Sequence, residues 1–327
     1  MGEFELIARY FDRPVRRAAL GVGDDCALVA PAPGQQLAVS SDLLIEGRHF
    51  LSTVDPRALG HKSLAVNLSD LAACGAAPLG FTLALALPRV DPAFLDGFSR
   101  GLFELADRHG CELVGGDTTA GPLTIGITIF GEVPPGAALL RSGARAGDEL
   151  WVSGHLGGAR LALEVFRGTV PAADLATPEP SGEAAFDDLR RAMEWPQPRL
   201  ALGQALRGLA TSAIDVSDGL VGDLGHVLAR SRVGATLDAD AVPAHPVLAR
   251  QPLARRRECT LAGGDDYELL FTAPAPRRDE VLAAGQRAGV VVTCIGRIDS
   301  APGLRLLDRD ARPIDARYAG FDHFADT

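Results

Sequence analysis

Gly115-Gly116-Asp117-Thr118-Thr119 follows a strand expected over 112–114, and Gly263-Gly264-Asp265-Asp266 precedes one expected over 267–272. Each half of the chain thus carries a Gly-Gly-Asp step beside a strand. Each half also has an aspartate motif at a strand-to-helix junction, and strands alternate with helices around these steps. That alternation gives an α/β (α+β) class. The echo between the halves points to two related folding units.

Working outward, Asp55-Pro56 opens a helix, with Asp as N-cap and Pro at the first helical position, and Gly75 stops it. A second helix follows Asp91-Pro92 and ends near Gly110. A short helix is expected at 3–11, with strands at 26–29, 37–41 (running into Asp42), 80–87 and 123–133. Residues 134–148, rich in Pro, Gly and Arg, mark the boundary between domains 1–138 and 148–327. Beyond it, strands are expected at 149–153, 213–216 and 290–298, and helices at 157–167, 200–209, 218–230 and 278–288. Residues 168–198, rich in Pro, Ala and Glu, read as a variable excursion.

At roughly 100–200 residues per domain, 327 residues also favour two domains. Hydrophobic residues at 47% and charged residues at 23% exclude global disorder. A net charge of -10 gives no electrostatic footprint for nucleic acid, and an anionic ligand then needs a local arginine or metal. Lys62 is the only lysine and reads as a solvated helix residue. Five scattered cysteines without a C-x-x-C pair read as reduced, structural thiols of a cytoplasmic protein. The opening MGEFELIARYF lacks a long apolar run, so no signal peptide is expected, and no run is long enough for a membrane span.

Five acidic clusters carry the chemistry: Gly23-Asp24-Asp25, Ser40-Ser41-Asp42, Asn67-Leu68-Ser69-Asp70, Gly116-Asp117-Thr118-Thr119 and Asp215-Val216-Ser217-Asp218. Carboxylate, hydroxyl and amide oxygens are hard ligands that suit Mg²⁺, and no His/Cys cluster suggests zinc. Any one cluster has an ordinary reading as a turn or cap. Asp218 has that alternative as a helix cap, and Asp55 reads as a cap only. Recurrence shifts the balance toward a cation, because adjacent carboxylates repel unless one is bound. Asn67 and Asp70 fall on one helix face. No Walker A or protein-kinase signature occurs, and Gly21-Val22-Gly23 lacks the third glycine of a dinucleotide fingerprint.

In their order, these clusters resemble the thiamine-monophosphate kinase family, within the aminoimidazole-ribonucleotide synthetase superfamily. The matching stretches are Gly21–Ala27, Ser41-Asp42 with Gly47-Arg48-His49-Phe50, Ala65–Ala72 and Gly115–Thr119 in the first half. Arg141-Ser142-Gly143-Ala144, Ile214–Leu220, Gly263–Leu269 and Gly320-Phe321-Asp322-His323-Phe324 match in the second. The resemblance implies a two-domain fold of that superfamily, a homodimer through the N-terminal halves, and ATP and thiamine monophosphate meeting in an interdomain cleft. It implies Asp25, Ser40, Ser41, Asp42, Asp70, Asp117, Asp215 and Asp218 as ligands for several Mg²⁺ ions. It implies Gly116, Asp117, Arg141 and Ser217 for ATP, and His49, Asp265 and Phe321 for the thiamine side. Read alone, Arg141 fits an interdomain salt bridge equally well, His49 a structural histidine and Phe321 a core aromatic. The competing functions are another ATP-dependent synthetase of the superfamily, a non-catalytic thiamine-phosphate sensor and a metal-buffering scaffold. A sensor predicts a lost metal ligand, yet every aspartate expected from the motifs is present.

Overall fold

Asp55 accepts N–H bonds from Arg57 (2.8 Å) and Ala58 (3.2 Å), and Asp91 does the same for Ala93 and Phe94, so both expected helices start at their caps. The computed structural model describes residues 2–175, 182–314 and 318–321; Asp322-His323-Phe324 of the last motif lie outside them. The chain divides into two compact units, one of 1–71 with 76–138 and one of 72–75 with 139–327.

The first unit contains α1 (Glu3–Tyr10), β1 (Gln36–Ile45), α2 (Pro56–Cys74), β2 (Ala77–Leu87), α3 (Pro92–His109), β3 (Glu112–Ala120) and β4 (Thr124–Val133). Its sheet has the order β1-β4-β2-β3, antiparallel except for the β2–β3 pair. One face is apolar and buried through Leu83, Leu85, Ile125, Ile127 and Ile129, and Leu71 of α2 lies against Gly131 there. Helices α2 and α3 touch through glycines. A Cβ at Gly60 would stand 2.0 Å from the Phe98 carbonyl oxygen, and one at Gly101 would stand 1.9 Å from that of Arg57. No side chain fits at either crossing.

Three expectations need correction here. Residues 26–29 form only an isolated bridge, Leu28 to Leu20, because prolines 31 and 33 and the Asp24-Asp25 bend interrupt pairing. The strand expected over 112–114 runs further: Gly115-Gly116-Asp117 continues β3, parallel to β2 across a register shift at Phe81/Thr82. Gly116 has φ +153°, and a Cβ there would meet the Leu83 carbonyl oxygen at 1.9 Å, so only glycine holds this bulged pairing. Lys62 is not solvated. Residues 58–69 of α2 are buried on every side, Lys62 is 2% exposed, and its Nζ reaches the His49 carbonyl at 3.5 Å.

The second unit contains β5 (Asp148–Ser153), α4 (Gly158–Phe166), α5 (Gly182–Glu194), α6 (Leu200–Ala205), β6 (Ser212–Asp215), α7 (Leu220–Ser231), β7 (Gly234–Asp238) and α8 (Pro246–Ala249). It continues with α9 (Leu253–Ala262), β8 (Leu269–Pro274), α10 (Arg278–Arg287), β9 (Val292–Asp299) and β10 (Gly303–Leu307). The six-stranded sheet has the order β10-β7-β9-β5-β8-β6, with β10–β7 its parallel pair. Its core joins Leu150, Ile214, Leu224, Leu237, Leu270 and Ile295. The segment read as an excursion is part of a second core. Ala185, Leu189 and Met193 of α5 form a stripe at helical spacing that packs with Ala159, Leu161 and Ala162 of α4. The strand expected from residue 267 begins at Leu269 instead, because Asp265 and Tyr267 have φ of +67° and +51°.

Candidate active site

Along β1, Ser40 and Asp42 leave one face and Ser41 the other, as the two-residue strand period requires. Ser40 Oγ donates to Asp70 Oδ2, which α2 brings to the same face. Ser41 Oγ donates to the Ile127 carbonyl at 3.1 Å and lies 3.0 Å from Thr128 Oγ1. The structure therefore gathers Ser40, Asp42 and Asp70 and turns the Ser41 hydroxyl away from them.

Asp25, Gly116 and Asp117 line one cavity of about 840 Å³ in the first unit. Asp117 is in register with Ala84, both exposed, on the sheet face opposite Ser40 and Asp42. The six acidic and hydroxyl ligands that the motifs suggest in the first unit thus fall on two faces of its sheet, with Ser40, Asp42 and Asp70 on one and Asp117 on the other. His49 sits just past the end of β1, where its Nδ1 accepts the Ile45 N–H at 3.0 Å. That bond fixes the tautomer and leaves the other ring nitrogen carrying the proton.

In the second unit, three motifs meet around the Asp215–Gly219 loop. The Ser217 carbonyl accepts the Asp265 N–H and the Asp218 carbonyl accepts the Phe321 N–H, both at 2.8 Å. Tyr267 donates its hydroxyl to Asp265 Oδ1 at 3.0 Å. Ser217, Asp218, Asp265 and the 46%-exposed Phe321 are thereby brought together, at the end of the strand that carries Asp215. Arg141 is not among them. Its carbonyl is held by Ser231 at the far end of α7, and its side chain is exposed. Helix α7 has 12 residues, or about 18 Å at 1.5 Å per residue.

Asp218 does not cap α7: the N-cap is Gly219, with no side-chain bond. The loop is held from inside by Asp223, whose Oδ2 accepts the N–H groups of Ser217, Asp218 and Gly219, each at 3.1 Å. Its one sequence signal is an acid in a helix's first turn. Burial pushes the Asp223 carboxyl up to about 7, the Asp218 charge adds to this, and the three N–H groups oppose it. An ordinary aspartate titrates near about 3.9. Between these values the folded chain holds a proton that the unfolded chain has lost. The contribution is full below about pH 4 and is lost as pH rises through about 7. Asp223→Asn should flatten this fall, read as the urea midpoint of metal-free protein from pH 4 to 7. Parallel profiles for the two proteins would contradict the assignment.

Two neighbouring acids were also missed. Both oxygens of Asp266 accept the Gly157 N–H at 2.9 Å, beside the N-terminus of α4, and burial raises its carboxyl well above the usual range. Glu268 is 5% exposed and pairs with Arg199, whose Nε donates at 2.7 Å, and accepts from Ser153 Oγ. Neither Arg199 nor Ser153 stands near Glu268 in sequence, so no local pattern signals the pair.

All the candidate ligands offer oxygen. Among the described residues, no three His, Cys, Asp or Glu side chains form a metal-holding group. Oxygen donors of this kind fit Mg²⁺, which is commonly held by one or two carboxylates plus water and phosphate oxygens. Asp42 with Asp70, and Asp25 with Asp117, supply carboxylates in that number.

The chain matches the AIR synthase related protein N-terminal domain over residues 23–133 and the C-terminal domain over 145–309. It is 46% identical over 330 residues to the thiamine-monophosphate kinase of Escherichia coli O157:H7, covering 99% of this chain and 98% of that protein. The crystal structure of thiamine-monophosphate kinase from Stenotrophomonas maltophilia K279a superposes with a TM-score of 0.83 at 42% identity, covering 95% of this chain and 96% of that one. AaThiL complexed with AMPPCP and TMP superposes with a TM-score of 0.74 at 28% identity, covering 90% and 89%. E. coli HypE, a hydrogenase maturation protein, shares the fold at 21% identity and a TM-score of 0.75. End-to-end identity to the kinases and the match to both domain models together place this chain in the thiamine-monophosphate kinase family of AIR synthase related proteins.

Proposed function

We propose that this protein transfers the terminal phosphoryl group of ATP to thiamine monophosphate, giving ADP and thiamine diphosphate. The observation that carries the reading is 46% identity to a thiamine-monophosphate kinase across 99% of the chain. The relative complexed with AMPPCP, an ATP analogue, and TMP supports the same pair of substrates.

The acceptor is a phosphate oxygen, already anionic at neutral pH, so no side chain has to remove a proton. The obstacle is repulsion, about 4 kcal/mol for two unit charges 4 Å apart at an effective dielectric of 20. Asp25, Ser40, Asp42, Asp70, Asp117, Asp215 and Asp218 are the side chains that would hold Mg²⁺, with Ser41 offering its backbone rather than its hydroxyl. Bound Mg²⁺ supplies positive charge that offsets the repulsion and stabilises an in-line transition state. Gly116, Asp117, Arg141 and Ser217 are the ATP contacts in this reading, with Arg141 reaching phosphate through its planar fork. His49, Asp265 and Phe321 serve the thiamine side, where the exposed Phe321 ring suits a cationic heterocycle. Incubation with ATP, Mg²⁺ and thiamine monophosphate should yield thiamine diphosphate. ADP release without thiamine diphosphate, or no turnover, sinks the proposal.

A homodimer through the first unit belongs to the same reading. Leu37, Val39, Leu43 and Ile45 project from one face of the edge strand β1 and are 45, 57, 55 and 39% exposed. An apolar row of this kind suits burial against a second copy of itself. Val39→Asp with Leu43→Asp should halve the mass measured by light scattering; an unchanged mass rejects this face. A cytoplasmic setting completes the proposal, supported by five free cysteines. Among the described residues no helix is long and apolar enough to cross a membrane.

A further inference from the structure

Arg255, Arg256 and Arg257 follow one another in helix α9, and two of them are committed. Arg255 donates to Gln251 Oε1 at 2.8 Å. Arg257 forks onto Asp240, at 2.9 Å to Oδ1 and 2.7 Å to Oδ2. The half-buried Arg256 guanidinium takes no hydrogen bond or ion pair among the described residues. It lines a cavity of about 330 Å³ together with Asp238, Asp240, Ala241, Leu253 and Arg309. Arg309 is a second uncommitted cation, although acids flank it in sequence. Asp308 accepts the N–H groups of Asp310 and Arg312, each at 2.9 Å, and Asp310 pairs with Arg312 at 3.7 Å. The two acids of the cavity are engaged as well. Asp240 holds Arg257 and accepts the Arg309 N–H at 3.1 Å. Asp238 Oδ1 accepts the N–H groups of Asp240 and Ala241 at 3.0 and 3.2 Å. With Arg257 included, three guanidinium groups face two carboxylates, on a chain whose net charge is -10.

The place in the fold suits a ligand. Asp238 ends β7 and Leu307 ends β10, opposite each other in the parallel pair, so the cavity lies beyond the carboxyl ends of both strands. Ligands of α/β sheets commonly bind there. Asp215 is on β6, at the opposite edge of the sheet from β10, so this cavity is separate from the Asp215–Gly219 loop. Guanidinium forks match pairs of phosphate oxygens. Leu253, 41% exposed, adds an apolar lip. The volume sits at the small end of ligand sites. We propose that Arg256 and Arg309 bind the phosphate of a small monoester whose apolar substituent rests on Leu253. The inference does not depend on the kinase reading.

The test is calorimetric titration of the full-length protein, without Mg²⁺ or ATP, using phenyl phosphate and inorganic phosphate as probes. Phenyl phosphate should bind at one site and more tightly than inorganic phosphate. Leu253→Ser should remove that difference. Arg256→Gln and Arg309→Gln should each weaken phenyl phosphate about tenfold, the scale of one lost charge-assisted bond. Both variants should keep the wild-type circular dichroism, because neither guanidinium holds another part of the chain. Arg309→Gln alters an exposed side chain and carries the test if the helix variant does not fold. Formation of thiamine diphosphate should stay within twofold of wild type in both; a larger loss ties these arginines to the kinase centre and overturns the proposal. Equal affinity in wild type and the Arg256→Gln, Arg309→Gln double variant puts the anion elsewhere and overturns it. Phenyl phosphate bound no more tightly than inorganic phosphate leaves a plain anion patch and overturns it too, as does the absence of binding at millimolar probe.

Discussion

Asp70→Ala should lower kcat/KM by about a thousandfold or more, the scale expected when a carboxylate that holds a catalytic cation is removed. Asp70 lies in α2 and accepts a bond from Ser40 of β1, with Asp42 on the same strand face. It is half-buried, so truncation opens no deep cavity. The loss in stability should stay near about 1 kcal/mol, typical of a site outside the core. A large kinetic effect with a small thermodynamic one is what separates a ligand from a structural cap. Asp70→Asn sharpens the test. The amide oxygen still accepts from Ser40, but the charge is gone. If the asparagine variant turns over at the wild-type rate, the hydrogen bond suffices and the metal role is lost. Asp42→Ala should match Asp70→Ala, because each removes one of the two carboxylates on that face.

Glu268→Ala should destabilise the second unit by about 3–5 kcal/mol, the usual cost of stripping one partner from a buried ion pair. Glu268 receives Arg199 through two nitrogens and Ser153 through its hydroxyl, which itself accepts the Leu269 N–H at 2.9 Å. Burial alone would lower the Arg199 pKa, and the bond to Glu268 more than reverses it. Alanine leaves a part-buried guanidinium and a buried hydroxyl without their acceptor. The melting temperature should fall by about 6–20 °C, taking about 2–4 °C per kcal/mol for a unit of this size. Arg199→Met combined with Glu268→Leu should recover most of the loss, since both charges are then absent. A double variant no better than the single one shows that packing, not charge, set the cost. A single variant within about 1 kcal/mol of wild type rejects the account.

What was legible beforehand followed from local chemistry. Asp55-Pro56 and Asp91-Pro92 announce their helices because a cap and a fixed φ act within four residues. The candidate site residues follow from the resemblance that motif order carries, but their grouping does not. The strand period puts Ser40 and Asp42 on one face, but that this face meets Asp70 depends on α2 lying against it. The strand expected over 112–114 stops short of Gly115-Gly116 because glycines usually break strands, whereas here the strand needs glycine to pass the Leu83 carbonyl. Lys62 looked solvated because a lone lysine on a helix normally is, and α2 is buried all round. Asp223, Asp266 and Glu268 were missed because their partners arrive through tertiary folding. Acids that hold backbone in place look no different in sequence from acids that face a ligand.

The glycine crossing of α2 and α3 has a consequence for anyone redesigning this enzyme. Gly60 and Asp70 share a helix, about 15 Å apart along its axis at 1.5 Å per residue. A methyl group at Gly60 or Gly101 has nowhere to go except by sliding one helix along the other, and that slide displaces a carboxylate the methyl never touches. Libraries aimed at new acceptors can vary the rims of the strands and the loops freely. The helix pair works as a fixed chassis, and Gly60 and Gly101 belong on the list of positions left untouched.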